Sequence, residues 1–133
     1  MPLDYSAALA ALRKLVSRGA PVVYGEAIWS REPTDAAVAP LAGRKDEFVF
    51  LPQLIELSTK HGFAVVRVHE ATLDEWDMFE SGHHAKYAVW LAEHSTEHPD
   101  AAAVQTLATR QQEAYFRGYR GILGMAYLSL LAV

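Results

Sequence analysis

Glu80, His83 and His84 form the densest set of side chains in this sequence that could move a proton. On a helix, residues three and four apart share a face, so this spacing sets Glu80 beside both imidazoles. Histidine titrates within the physiological range and suits a general base, and Trp76, Phe79 and Tyr87 stand close enough in sequence to shelter one. A solvated helix surface would use the same three residues without any chemistry. Glu-x-x-His is also the ligand pattern of di-iron bundles, but that chemistry needs several such helices and one is present. His94 and His98 are four apart as well, yet Pro99 and polar neighbours make their segment a loop. No metal site is expected, and with no cysteine in the chain, thiolate ligands, disulfides and a Cys nucleophile are excluded.

Glu26 and Trp29 close an apolar run that reads as a strand, and ligands of open α/β sheets gather outside the carboxyl ends of strands. Together with Trp76 and Tyr87 they are the candidate substrate-binding residues, against the plainer reading of a solvated Glu and a Trp that caps the core. The aromatics Trp76, Phe79, Tyr87, Trp90, Tyr115, Phe116 and Tyr119 fit a core better than a binding box. Arg117 and Arg120 with Tyr119 either clamp an anion or pair with Glu113 or another nearby acid.

The elements that must position these residues follow from periodicity and punctuation. Residues 4–17 carry Leu9, Leu12, Leu15 and Val16 at helical spacing, with Asp4 or Ser6 as cap, basic residues at the end and Gly19 as stop. Residues 21–29 read as a strand, and 30–47, with Pro33, Pro40 and Gly43, as a long loop holding a helical turn. A helix over 51–61 runs into a strand at 63–71, with Gly62 between them. A long helix covers 73–93, a second runs from a cap at Asp100 to about 119, and a final apolar strand covers 122–131. The order predicts an α/β protein in which helix–strand units place strands parallel under helices, with a helical insertion before the last strand. So apolar a last strand is expected to be central and buried on both faces.

At 133 residues, 51% apolar and with a net charge of −4, the chain has the balance of a single globular domain with no basic nucleic-acid footprint. The apolar run at 121–133 is too short to span a bilayer, and Met1-Pro2-Leu3-Asp4 lacks a basic leader, so a cytoplasmic location is expected.

Several stretches carry a family resemblance. Leu9-Ala10-Ala11-Leu12-Arg13-Lys14-Leu15-Val16, then Gly19 and Val22-Val23-Tyr24-Gly25-Glu26, is similar to the helix and fifth strand of class I S-adenosylmethionine-dependent methyltransferases. Leu54-Ile55-Glu56-Leu57 leading through His61-Gly62-Phe63 to Val65-Val66 resembles their next helix and sixth strand. Asp74-Glu75-Trp76-Asp77-Met78-Phe79-Glu80-Ser81-Gly82 and Tyr119-Arg120-Gly121-Ile122-Leu123-Gly124-Met125-Ala126-Tyr127 are similar to a bacterial small-molecule subgroup. The resemblance covers nearly the whole chain and implies a partial Rossmann-like fold of about three mixed strands. It puts 122–131 antiparallel between 21–29 and 63–71.

That family holds its cofactor in a glycine-rich turn between strand and helix, and this chain has no such cluster of glycines. The resemblance therefore implies the acceptor-side half of a methyltransferase that binds no cofactor alone. Methyl transfer to a small-molecule acceptor would need a partner or a further half, with Glu80, His83 and His84 as the catalytic candidates. The alternatives are a non-catalytic dimeric module that binds a small molecule or a protein, and a small enzyme that reuses the acceptor pocket with a His base. The strand at 21–29 has no charged residue before Glu26, so a homodimer through that strand or the first helix is expected unless a cofactor-binding subunit takes its place.

Overall fold

A computed structural model describes residues 4–41 and 43–133; Met1–Leu3, on which part of the leader reading rests, and Ala42 lie outside them. The elements are α1 (Tyr5–Leu15), β1 (Pro21–Trp29), α2 (Asp35–Val38) with a 3₁₀ turn (Ala39–Leu41), α3 (Leu51–Lys60), β2 (Phe63–Glu70), α4 (Leu73–Glu93), α5 (Ala101–Glu113) continued by a π turn (Ala114–Tyr119), and β3 (Leu123–Ala132). The chain divides into two compact units that interleave in sequence: a sheet unit of Met1–Pro33, Arg44–Ala71 and Gly121–Val133, and a helical unit of Thr34–Gly43 and Thr72–Arg120.

In the sheet unit the strand order is β1–β3–β2, and β3 runs antiparallel to both neighbours, so β1 and β2 point the same way. This is the expected α/β arrangement, with the last strand central. Tyr5 and Leu9 of α1 and Leu54 of α3 pack with Ile28, Phe63, Leu128 and Leu130 into a core on one face of the sheet. Removing such side chains from water is what holds the layers together, at roughly 1.5–3 kcal/mol for each large one.

One expectation is corrected here. β3 is covered on one face only: Gly124, Ala126, Leu128, Leu130 and Ala132 are buried, whereas Tyr127 and Leu131 on the other face are 40% and 38% exposed. Alternation along a strand gives each face its own side chains, and among the described residues the helices of this unit pack on the first set.

Local chemistry fixes the helix ends. The Asp4 carboxylate accepts from the Ala7 N–H at 2.8 Å and caps α1. At the other end Arg13 donates to the carbonyls of Val16, Gly62 and Val133, which ties α1 to the turn before β2 and to the end of β3. Gln53 accepts from the Phe50 N–H at 2.9 Å, and Pro52 occupies the first turn of α3, where its missing N–H costs nothing. The Tyr5 hydroxyl donates to the Ala27 carbonyl at 2.8 Å and accepts from the Val49 N–H at 3.3 Å, and burial pushes its pKa up to about 12.

In the helical unit Thr72 and Glu75 form a reciprocal capping box that starts α4. Thr34 caps α2, the helical turn expected in the loop at 30–47. The helix expected to reach 119 instead widens after Glu113. The Arg120 N–H donates to the Tyr115 carbonyl at 2.9 Å, five residues back, as in a π turn. Gly118 sits where a Cβ would lie 2.9 Å from the Ala36 carbonyl, so this turn packs backbone to backbone on α2.

Candidate functional site

The candidate residues fall in both units. Glu26 and Trp29 belong to the sheet unit, while Trp76, Glu80, His83, His84 and Tyr87 belong to the helical unit.

Trp76, Glu80 and His84 are four apart in succession and occupy one face of α4. The π turn aims two hydroxyls at this helix. Tyr119 donates to Glu80 Oε1 at 2.9 Å, and Tyr115 donates to Asp77 Oδ1 at 2.7 Å. Arg120 completes the second contact with a bidentate pair to Asp77 at 2.9 and 2.8 Å, the geometry in which a guanidinium binds a carboxylate best. Arg120 first, and then the Tyr115 hydroxyl, lower the Asp77 pKa to about 2. Burial, and then the hydrogen bond to a carboxylate, raise both tyrosines above the ordinary phenol range, so they remain donors. Arg120 thus pairs with a nearby acid, and Arg117 lies 4.0 Å from Glu113.

Glu80 is 7% exposed and takes its hydrogen bond from Tyr119 rather than from a histidine. The structure separates the two histidines. His83 lies edge-on to Phe79 with ring centroids 4.7 Å apart, and Phe79 itself is exposed. His84 has a buried Nδ1 without a hydrogen-bond partner, and the Trp76 indole Nε1 is in the same condition. Trp76 lies among the rings of Phe79, Tyr115 and Tyr119, each centroid 6.4 Å away. Tyr87 is half-buried on the same helix. This face holds one carboxylate, one indole donor and one imidazole nitrogen, the last two buried without a partner. Among the described residues no group of three or more His, Asp or Glu could hold a metal ion.

In the sheet unit Trp29 is 1% exposed; its Nε1–H donates to the Lys45 carbonyl at 2.8 Å and its ring packs edge-on against Phe48. Its polar handle is thus spent inside the protein. Glu26 accepts from the Tyr24 hydroxyl at 3.3 Å. A pair that sequence reasoning missed lies at the carboxyl ends of β1 and β2, where Ser30 donates to Glu70 across β3. Gly124 makes room for it: a Cβ there would collide with Ser30 Oγ and lie 2.9 Å from Glu70 Oε1. The one signal in the sequence was a glycine inside an apolar strand, which marks a close approach.

No family model and no curated protein matches this chain. Solved structures do. The SAM-dependent methyltransferase of Geobacter sulfurreducens, solved in complex with S-adenosyl-L-homocysteine, matches 96% of this chain at 25% identity and a TM-score of 0.79. The SAM-dependent methyltransferase of Thiobacillus denitrificans, in complex with the same ligand, matches 96% at 26% identity and a TM-score of 0.78. The fold is methyltransferase-like and partial. YjhP from E. coli shares that fold, with 98% of this chain covered, 22% identity and a TM-score of 0.78. The chain spans about half the length of these structures: 52% of the first two and 54% of the third.

The cofactor of such a fold needs a glycine-bearing turn between a strand and the helix after it, where the backbone can approach the ligand. The connections that follow β1 and β2, residues 30–34 and 71–72, contain no glycine. The residues present do not fit the cofactor. Among the described residues no helix is long and apolar enough to cross a membrane.

Proposed function

We propose that this chain is the acceptor-side half of a SAM-dependent methyltransferase, active when a cofactor-binding half is supplied. One observation carries the reading. Two SAM-dependent methyltransferases, each in complex with S-adenosyl-L-homocysteine, match almost all of this chain with about half of their own length.

The chain's own work is to seat a small-molecule acceptor and to take its proton. The face of α4 is suited to both tasks. Trp76 offers an unsatisfied indole N–H, Glu80 a buried carboxylate steadied by Tyr119, and His84 an unsatisfied Nδ1 within the same row. His84 is the base, with Glu80 as the carboxylate beside it in that row; His83, edge-on to Phe79, and Tyr87 shape the approach.

Two measurements test this. Calorimetry of the chain alone with S-adenosyl-L-homocysteine is expected to give no one-to-one binding; micromolar binding would overturn the assignment of the cofactor site to another half. Transfer of a tritiated methyl group from S-adenosylmethionine to a pool of small-molecule acceptors is expected only with both halves present. Transfer that is indifferent to removal of this chain would refute the acceptor role.

A further inference from the structure

Two acids lie one turn apart on α4, and the helical unit treats them differently. Asp77 has its cation in Arg120, held by two hydrogen bonds. Glu80, the more buried of the two, has none: among the described residues its one hydrogen bond comes from the neutral Tyr119 hydroxyl. A carboxylate taken out of water without a counter-charge is costly to a fold. The cost is met when a ligand brings the missing charge.

Further features of the same unit bear on what that ligand is. His84 Nδ1, one turn after Glu80 on the same helix face, and Trp76 Nε1, one turn before it, are buried without a partner. The rings of Trp76, Tyr115 and Tyr119 stand together at this row, with Tyr115 and Tyr119 5.4 Å apart and Trp76 6.4 Å from each. Aromatic faces attract cations, and more strongly where water is excluded. The row thus combines a carboxylate, an imidazole nitrogen and aromatic rings, while Arg120 is committed to Asp77.

Resting on the reading above, we infer that the acceptor is an amine, seated as its ammonium ion between Glu80 and His84 with its charge against the rings of Trp76 and Tyr119. An ammonium ion gives Glu80 a counter-charge and an N–H donor, and gives His84 Nδ1 a second donor. An alcohol brings one donor and no charge, and a carboxylate is repelled by Glu80. A metal ion finds too few ligands among the described residues. An amine also gives the base its task, because an ammonium nitrogen has no free electron pair until a proton leaves. One N–H bond breaks, its electron pair stays on nitrogen, and the proton passes to His84 Nδ1. The positive charge moves from ligand to imidazolium and stays in the row with Glu80, so the net charge of the site is unchanged.

The test uses the whole chain at about pH 7, where simple amines are ammonium ions as lysine is. The probes are benzylamine, its neutral counterpart benzyl alcohol, and benzoate. Occupancy is read from the NMR signal of the Trp76 indole N–H, identified among the three tryptophans by its loss in Trp76→Phe. Benzylamine is expected to move that signal saturably and to bind at least about tenfold more tightly than benzyl alcohol, as a charge-assisted hydrogen bond allows. Benzoate is expected to leave it in place. Glu80→Gln keeps an oxygen for Tyr119 and removes the charge, so it should erase the preference for the amine. Glu113→Gln, at an exposed position on α5, removes one negative charge as well and should leave the preference intact. Circular dichroism checks that both variants are folded. An unmoved Trp76 signal, equal affinity for amine and alcohol, or equal effects of the two glutamines overturns the proposal. Methyl transfer by the reassembled enzyme to alcohols alone also overturns it and keeps the methyltransferase reading. Amine binding at Trp76 without transfer in the reassembled enzyme keeps the amine site and refutes that reading instead.

Discussion

The Tyr119 hydroxyl stands 2.9 Å from Glu80 Oε1 and joins a π turn to a helix 39 residues earlier in the chain. A buried carboxylate oxygen keeps its low energy only while a donor meets it. Tyr119→Phe removes the donor and leaves Glu80 unsatisfied, so urea denaturation should show a loss of about 1–3 kcal/mol. Glu80→Gln keeps an oxygen for Tyr119 and should lose less. Equal losses for the two variants would mean that the hydroxyl contributes little.

Asp77 gives the helical unit an acid limit. Its pKa is lowered to about 2 by Arg120 and Tyr115, against about 3.9 for a free aspartate. A depressed folded pKa contributes stability that is present above about pH 4 and is lost as pH falls toward 2. Thermal melts between pH 5 and pH 2, on the order of that window, should fall more steeply for the natural protein than for Asp77→Asn. Parallel curves would show that the pair is not linked to unfolding.

Gly124→Ala should be costly out of proportion to one methyl group, because the new Cβ meets Ser30 Oγ and Glu70 Oε1. Overpacking of this kind costs about 1–3 kcal/mol. Ser30→Gly in the same chain should recover most of the loss, a coupling that a double-mutant cycle reads directly. Additive effects would place the strain elsewhere.

His84→Ala tests the base. In the reassembled enzyme, methyl transfer should fall by about 10²–10⁴-fold, the usual share of a general base. The thermal midpoint should move by less than about 4 °C. His83→Ala should have the smaller effect on rate, since its ring rests on an exposed phenylalanine. A collapse of stability on losing either imidazole would make that histidine a packing residue.

Much of this was written in local pattern. Residues 21–29 became β1 as read, the helix read over 73–93 became α4, and Asp4 capped α1, because propensity, capping and period agree there. The one-sided cover of β3 had a signal that was passed over: Tyr127 and Ser129, two apart, put polar groups on one face of an otherwise apolar strand. The π turn had none, since one extra residue in a helical turn leaves the hydrophobic period almost unchanged. The pairs Asp77–Arg120 and Ser30–Glu70 join residues 43 and 40 positions apart, which no periodicity can report.

The central place of β3 sets the order in which this sheet can form. β1 and β2 have no ladder between them, and each waits for a strand that follows both in the chain, with Pro21 opposite Leu131 and Phe63 opposite Ala132. Closing loops of that length must precede any reward from pairing, which slows the search for the native arrangement. During synthesis, β1 therefore leaves the ribosome with both of its edges bare and stays so until the last of its partners is made. Its uncharged stretch, Pro21 to Gly25, is then at its most exposed to other nascent chains, and Pro21 is its one built-in guard.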